Sequence, residues 1–156
     1  PNLGPVPVIA NEVEQVLLNL LKNAAQAIHQ RDDEEEGEQG RIVLRTRLTP
    51  PWAEVQVEDN GSGMPELVRK RIFEPFFTTK EVGQGTGLGL SVSYFIITNN
   101  HKGQMEVRSE LGRGTCFSIR LPLESSEAVA PAQAKALPPA LPQPGSSLRR
   151  GDEEEG

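Results

Sequence analysis

One cysteine, Cys116, is all that the chain carries, which excludes an intrachain disulfide framework or a zinc site built from several thiolates and fits a reducing compartment. Cations are also in short supply. The 16 Lys and Arg stand against 22 Asp and Glu, for a formal charge of -6, the wrong balance for a nucleic-acid or anionic-membrane surface, where clustered basic residues are needed. No run approaches the roughly 18 apolar residues of a membrane span. The opening PNLGPVPVIA lacks both the basic flank and the long apolar stretch of a secretory signal. These absences lead to the expectation of a soluble, cytoplasmic, monomeric fragment with no nucleic-acid or membrane contact. With 156 residues, it has one ordinary domain at most.

What is present is strongly patterned. Residues Pro5 to Ala10 read as a short apolar strand, and Asn11 stands where a helix N-cap belongs. Val13, Val16, Leu17, Leu20, Leu21, Ala24, Ala25 and Ile28 then recur at three- and four-residue steps, which predicts a long helix with one face on a core. Leu18 points away from that stripe, as a contact for another domain or an ordinary surface leucine. The charged stretch RDDEEEGEQG reads as a solvated loop. Alternation over Arg41–Leu48 and Trp52–Glu58, around Pro50-Pro51, predicts a hairpin, followed by a brief helix over Glu66–Ile72. The segment EPFFTTKEVGQGTGLG reads as a lid loop, with Phe76 and Phe77 as its anchors. A second core helix from Leu88 to about Asn99 and a hairpin of Gln104–Ser109 with Thr115–Leu121 complete the domain at residue 123. Residues 124–156, rich in Ala, Pro, Gln and Ser and ending GDEEEG, read as disordered tail or linker.

Three constellations point to chemistry. Asn19 and Asn23 lie one turn apart at the margin of the long helix's apolar face, where amide oxygens would suit a hard cation such as Mg²⁺ that also holds phosphates. Taken alone, two such asparagines are more often plain polar surface. Asp59-Asn60-Gly61-Ser62-Gly63 follows a strand directly, so a carboxylate at the strand end would accept from an exocyclic amine while glycines admit a ligand to the backbone. An isolated DNG is otherwise an ordinary turn. Gly85-Thr86-Gly87-Leu88-Gly89 leads straight into a helix, whose free N–H groups favour anions. No Gly-Lys-Ser/Thr is present for a P-loop, and no apolar strand precedes these glycines as a dinucleotide fingerprint requires. Lys80 would reach phosphate as a point charge. His29 and His101 read as solvated or capping residues, and Cys116 as core.

The segments NEVEQVLLNLLKNAAQAI, VEDNGSGMP, EPFFTTK, GTGLGLS and GRGTCFSIRLP occur in the order of the ATP-binding catalytic module of bacterial sensor histidine kinases, which the chain resembles over residues 5–123. The likeness is to the nitrogen-regulatory or PAS-linked type and, more loosely, to gyrase, Hsp90 and MutL. It implies an α/β fold, the Bergerat two-layer sandwich, with a mixed sheet covered on one face by three helices. It also implies Mg-ATP as ligand, Asn23 as the metal-binding asparagine with Asn19 its companion, and Asp59 as the adenine-binding residue. Gly61 and Gly63 match the first glycine box, and Gly85, Thr86, Gly87, Leu88 and Gly89 the phosphate-binding second. Thr115 resembles the residue that supports the adenine site, and Lys80 the lid lysine.

Within the wider superfamily, hydrolytic members and serine kinases place glutamate four residues before the helix asparagine, where Asn19 stands here. An amide cannot take the proton of an attacking water. Neither His29 nor His101 lies in a phosphoacceptor setting. The resemblance therefore implies a protein-histidine kinase domain that donates the γ-phosphoryl group to a histidine on a separate dimerisation domain, with a response regulator as indirect partner. An ATPase of the same fold and a nonenzymatic nucleotide-binding module are the alternatives.

Overall fold

The computed structural model describes residues 6–32, 39–80 and 85–124. The expected tail, the centre of the acidic loop and residues 81–84 of the lid lie outside the described residues. Helix α1 spans Ala10–Asp32, strand β1 Ile42–Thr49, β2 Trp52–Asp59, helix α2 Glu66–Arg69 and helix α3 Gly89–Phe95. A π-helical turn over Ile96–Asn100 continues α3, and strands β3 (Gln104–Glu110) and β4 (Gly114–Pro122) follow. The sheet order is β1-β2-β4-β3. The architecture is the expected two-layer α/β sandwich, but every strand pair among the described residues is antiparallel, so the mixed sheet is corrected on that point.

The strand expected at the apolar start is not formed among the described residues. Residues 6–9 pair with no strand, although Val6 and Val8 pack on the core. Their backbone is committed elsewhere: Ile9 N–H donates to His101 Nε2 at 3.0 Å, and Ile9 carbonyl accepts from Glu12 N at 3.1 Å and Val13 N at 3.2 Å. The helix thus begins at Ala10 rather than after an Asn11 cap. Of the two expectations for His101, solvated or capping, the second holds: it caps the C-terminal end of the helical segment that stops at Asn100, buried, with its Nδ1 3.0 Å from the Ile96 carbonyl. Nε2 as acceptor and Nδ1 as donor define the neutral Nδ1–H tautomer.

One face of the sheet carries the core. Val16 and Leu20 of α1 are buried against Val57, Phe117, Ile119 and Leu121 of the central strands, with Ile96, Ile97 and Met105 in the same cluster, and Ala24 is buried as well. Each fully buried aliphatic of this kind contributes about 1.5–3 kcal/mol. The stripe is narrower than the sequence predicts: Leu21 and Ala25 are exposed, because they lie farthest round the helix from the Val16–Leu20–Ala24 line. The other face is polar, with the pairs Arg45–Glu58 and Arg120–Glu54 across it. Cys116 lies on this side, half-buried between Glu58 and Arg108, rather than in the core.

Helix α2 is one turn long, since residues after Arg69 continue as turns to bury Ile72. The expected second core helix is present but widens at its end. His101 N–H bonds the carbonyl of Ile96, five residues back, at 3.2 Å, and Gly103 N–H bonds that of Ile97 at 2.8 Å. No helix among the described residues is long and apolar enough to cross a membrane.

Candidate nucleotide-binding cleft

A cleft of about 610 Å³ opens between α1, the ends of β2 and β4, and the segments on either side of the lid. Its size and its mixed lining suit a small organic ligand. Helix α1 forms one wall. Asn19, Asn23, Gln26 and Gln30 follow at steps of four, three and four and all line the cleft. At 3.6 residues per turn that spacing puts four amides on one flank of the helix, beside its buried stripe. Met64, Val68, Ile72, Phe77, Leu90 and Phe117 supply apolar surface opposite.

Strand register builds one end. Asp59 is the last residue of β2 and pairs with Thr115 of β4, and both are buried. Asp59 Oδ1 accepts from Gly61 N–H at 2.9 Å. Burial pushes its carboxyl above the ordinary carboxylate value; N–H donation from Gly61 and Thr115 opposes the rise, and the neighbouring Glu58 charge adds to it. Thr115 Oγ1 lies 2.9 Å from Ser109 Oγ, which also accepts from Met64 N–H at 2.9 Å and lies 3.0 Å from the Gly114 carbonyl. A hydroxyl on β3 therefore ties the loop after β2 to the strand that carries Thr115.

The loop itself is fastened on both sides. Ser62 N–H donates to the Ala27 carbonyl at 3.0 Å, and the Ser62 carbonyl accepts from Gly112 N–H at 2.7 Å. Asn60 faces the other way, accepting from Arg41 N–H at 2.6 Å and donating to the Gln39 carbonyl at 3.0 Å. Gly61 does not line the cleft; it is buried against the Ala27 backbone, where a Cβ would lie 2.6 Å from the carbonyl carbon. Its place in the site is that of a spacer. Gly63 does line the cleft.

The other end of the cleft is built from side chains on α1, α3 and the lid. Asn19 Nδ2 donates to Ser93 Oγ at 3.0 Å, and Ser93 Oγ donates to the Gly89 carbonyl at 2.9 Å. Asn19 thus clasps α3 to α1 as well as lining the cleft. Asn23, half-buried, makes no side-chain hydrogen bond among the described residues, so its amide is available to a ligand. Lys80 Nζ donates to Gln26 Oε1, and Lys80 N–H to Thr78 Oγ1 at 3.1 Å.

Gly85, Thr86, Gly87 and Gly89 reach the cleft, whereas Leu88 stands at its rim as the residue before α3, its N–H on Thr86 Oγ1 at 3.3 Å. Gly87 has φ of 66° and lies so close to Phe76 that a Cβ would be 2.5 Å from that residue's carbonyl carbon. Phe76 itself has φ of 64° and donates its N–H to the Gly87 carbonyl at 2.9 Å. Its ring is 74% exposed, so it is no anchor. Phe77 is the anchor, lining the cleft under the Arg71 guanidinium at 4.5 Å.

No group of three or more His, Cys, Asp or Glu that would cage a metal occurs among the described residues. The oxygens of Asn23 and Asn19 fit a hard cation that takes most of its shell from phosphates and water, the habit of Mg²⁺. Sequence reasoning missed Gln30, which continues the spacing begun by Asn19, and the apolar wall, whose members come from separate segments. It also missed Ser109, for which the strand pattern carries no signal.

Comparison with known proteins agrees with this geometry. Residues 9–125 match the family of histidine kinase-, DNA gyrase B-, and HSP90-like ATPases. The two-component sensor PprA of Pseudomonas aeruginosa is 44% identical over 131 residues, covering 80% of this chain and 13% of that protein. The sensor kinase CckA of Brucella abortus is 46% identical over 136 residues, covering 78% and 13%. The chain thus spans 13% of the length of either relative. Among solved structures, the catalytic domain of histidine kinase ThkA superposes with a TM-score of 0.62 at 35% identity, covering 76% of this chain and 70% of that one. The chain therefore belongs to the histidine kinase-, gyrase B- and HSP90-like ATPase family, as a catalytic domain of the sensor histidine kinase type.

Proposed function

We propose that this domain binds Mg-ATP in the cleft and donates the γ-phosphoryl group to a histidine on a separate dimerisation domain of its parent protein. The observation that carries the reading is one continuous cleft that brings together a buried carboxylate, Asp59, the amides of Asn19 and Asn23, and the Lys80 ammonium. Asp59 would accept from the adenine amine, its second oxygen and its backbone donors holding it in place, with Thr115 supporting that end. The triphosphate would lie toward Asn23, Lys80 and the glycines from Gly85 to Gly89, whose small size lets backbone N–H groups approach it. When bound, Mg²⁺ supplies charge neutralisation on the phosphates, with Asn23 and Asn19 as its protein ligands.

Transfer needs an acceptor imidazole in line with the γ-phosphorus; the new N–P bond forms as the bond to ADP's oxygen breaks. The residues here position the donor and do not activate water. Asn19, already bonded to Ser93, is an amide where a hydrolytic site would hold a carboxylate, and it accepts no proton at neutral pH. The same reading has the domain working in the cytoplasm, where ATP is, with a response regulator receiving the phosphoryl group afterwards. Incubation of the chain with Mg-ATP, with and without a histidine-bearing dimerisation domain, tests it. Phosphohistidine should form only when that domain is present; steady phosphate release by the chain alone would replace the reading with an ATPase, and neither product with a binding module.

A further inference from the structure

Lys80 is the one lid cation whose side chain the structure ties across the cleft, and its partner is Gln26. Gln26 stands between Asn23 and Gln30 on the ligand-facing flank of α1, 54 residues away in sequence. Thr78 Oγ1 accepts the Lys80 N–H at 3.1 Å, and the lysine's stem crosses directly over Gly85, where an added Cβ would lie 2.9 Å from Lys80 Cδ. The lysine therefore has a neighbour at three levels: Thr78 at its backbone, Gly85 under its stem, and the Gln26 carbonyl at its ammonium. A neutral acceptor suits this task. An ammonium has three donors, so Gln26 occupies one and leaves others for phosphate oxygens, without the repulsion that a carboxylate would bring to a polyphosphate.

We propose that Gln26 is a positioning residue for Lys80: its side-chain carbonyl holds the ammonium on the ligand-facing flank of α1, the flank that carries Asn23. The inference rests on the reading of the cleft as an ATP site. Gln26 touches no reacting atom in this scheme and acts through Lys80 alone.

Gln26→Met, which keeps the length and removes the acceptor, and Lys80→Met provide the test, in the intact chain and singly and together. In the ligand-free chain, trypsin should cleave after Lys80 about three- to tenfold faster in Gln26→Met, the factor expected for freeing a charge-assisted bond near the surface. Calorimetric titration with Mg-ATP should show each single variant weakened about three- to tenfold. The double variant should bind no more weakly than Lys80→Met. Gln26→Ala, which also lacks the acceptor, must behave as Gln26→Met does, and thermal midpoints should hold because both side chains lie at the surface. Unchanged cleavage after Lys80, or losses that multiply in the double variant, would overturn the proposal. Failure of the parent chain to bind Mg-ATP at all would instead overturn the reading of the cleft, and the cleavage result would still decide whether Gln26 holds Lys80.

Discussion

At the Asp59 end of the cleft the groups come from paired strands, whereas at the Lys80 end they come from side chains reaching between α1, α3 and the lid. Asp59 faces its partner Thr115 because β2 and β4 are in register over eight residue pairs, from Trp52–Pro122 to Asp59–Thr115. Moving that carboxylate would require shifting a central strand, and a one-residue slip would turn the buried face of the strand outward. Lys80, by contrast, is held at its tip by a hydrogen bond between exposed groups, which contributes on the order of 1 kcal/mol. One end is a consequence of the fold, and the other is an arrangement that a ligand can redraw at little cost. A site that grips an adenine and must present a terminal phosphate to a second domain has use for that asymmetry.

The sharpest break should come at the fixed end. Asp59 already serves the N–H groups of Gly61 and Thr115, so an amide, with one oxygen and two donors of its own, cannot serve those and an adenine amine as well. Asp59→Asn is expected to weaken Mg-ATP binding about a hundredfold or more, as measured by titration. Stability should move the other way. Because the folded-state value of Asp59 is raised above the unfolded one, this group favours folding in acid and disfavours it once the pH has risen through the folded value. The variant should therefore melt no lower than the parent at pH 7. The same shift sets a pH dependence for the parent, whose nucleotide affinity should begin to fall in acid above the ordinary carboxylate range. Affinity that held constant down to that range would contradict the role of an ionised Asp59.

At the end built from side chains the losses should be smaller and tied to the metal. Asn23→Ala removes an amide with no protein partner among the described residues, so the fold should be untouched while Mg²⁺-dependent affinity drops about tenfold or more, the scale of one lost charge-assisted contact. Equal losses with and without Mg²⁺ would assign Asn23 to the nucleotide rather than the ion. Gly87→Ala probes the junction with Phe76. A side chain at φ of 66° costs roughly 1–2 kcal/mol, and the clash with the Phe76 backbone adds to it, so a several-fold rise in the dissociation constant is expected. A parent-like constant would show that the lid base tolerates redrawing as freely as its tip.

The same contrast explains what could be read from the sequence. Helix α1 and both hairpins follow from periodicity and turn chemistry, because short-range spacing places them. Asn19, Asn23, Asp59 and Gly63 line the cleft, but spacing alone leaves them as polar surface and an ordinary turn, and the family resemblance is what singles them out. The start was misread for a reason outside its own segment: the apolar run from Pro5 to Ala10 suggests a strand, but His101, 92 residues away, takes the Ile9 N–H that a strand would have paired. Gly61 and Leu88 belong to motifs that the cleft uses only indirectly, one as a spacer against Ala27 and the other as the residue before α3. Cys116 and Phe76 are apolar residues whose side of the chain is decided by register and by positive φ, and neither appears in a hydropathy pattern.

Ser109 gives the most delicate comparison, since it is polar, strand-borne and invisible to motif reasoning, yet it joins the fixed end together. Its hydroxyl accepts from Met64 N–H and bonds toward the Gly114 carbonyl and Thr115. Ser109→Ala leaves the Met64 N–H and one Thr115 contact without their partner, which should cost about 1–3 kcal/mol of stability in denaturant unfolding. If the fixed end owes its geometry to strand register, Mg-ATP affinity should change no more than about twofold, since a preserved register keeps Asp59 in place even when a neighbouring hydrogen bond is lost. A large loss of affinity with little loss of stability would reverse the ranking of causes: the hydroxyl network, and not the pairing of β2 with β4, would then be what holds the adenine end.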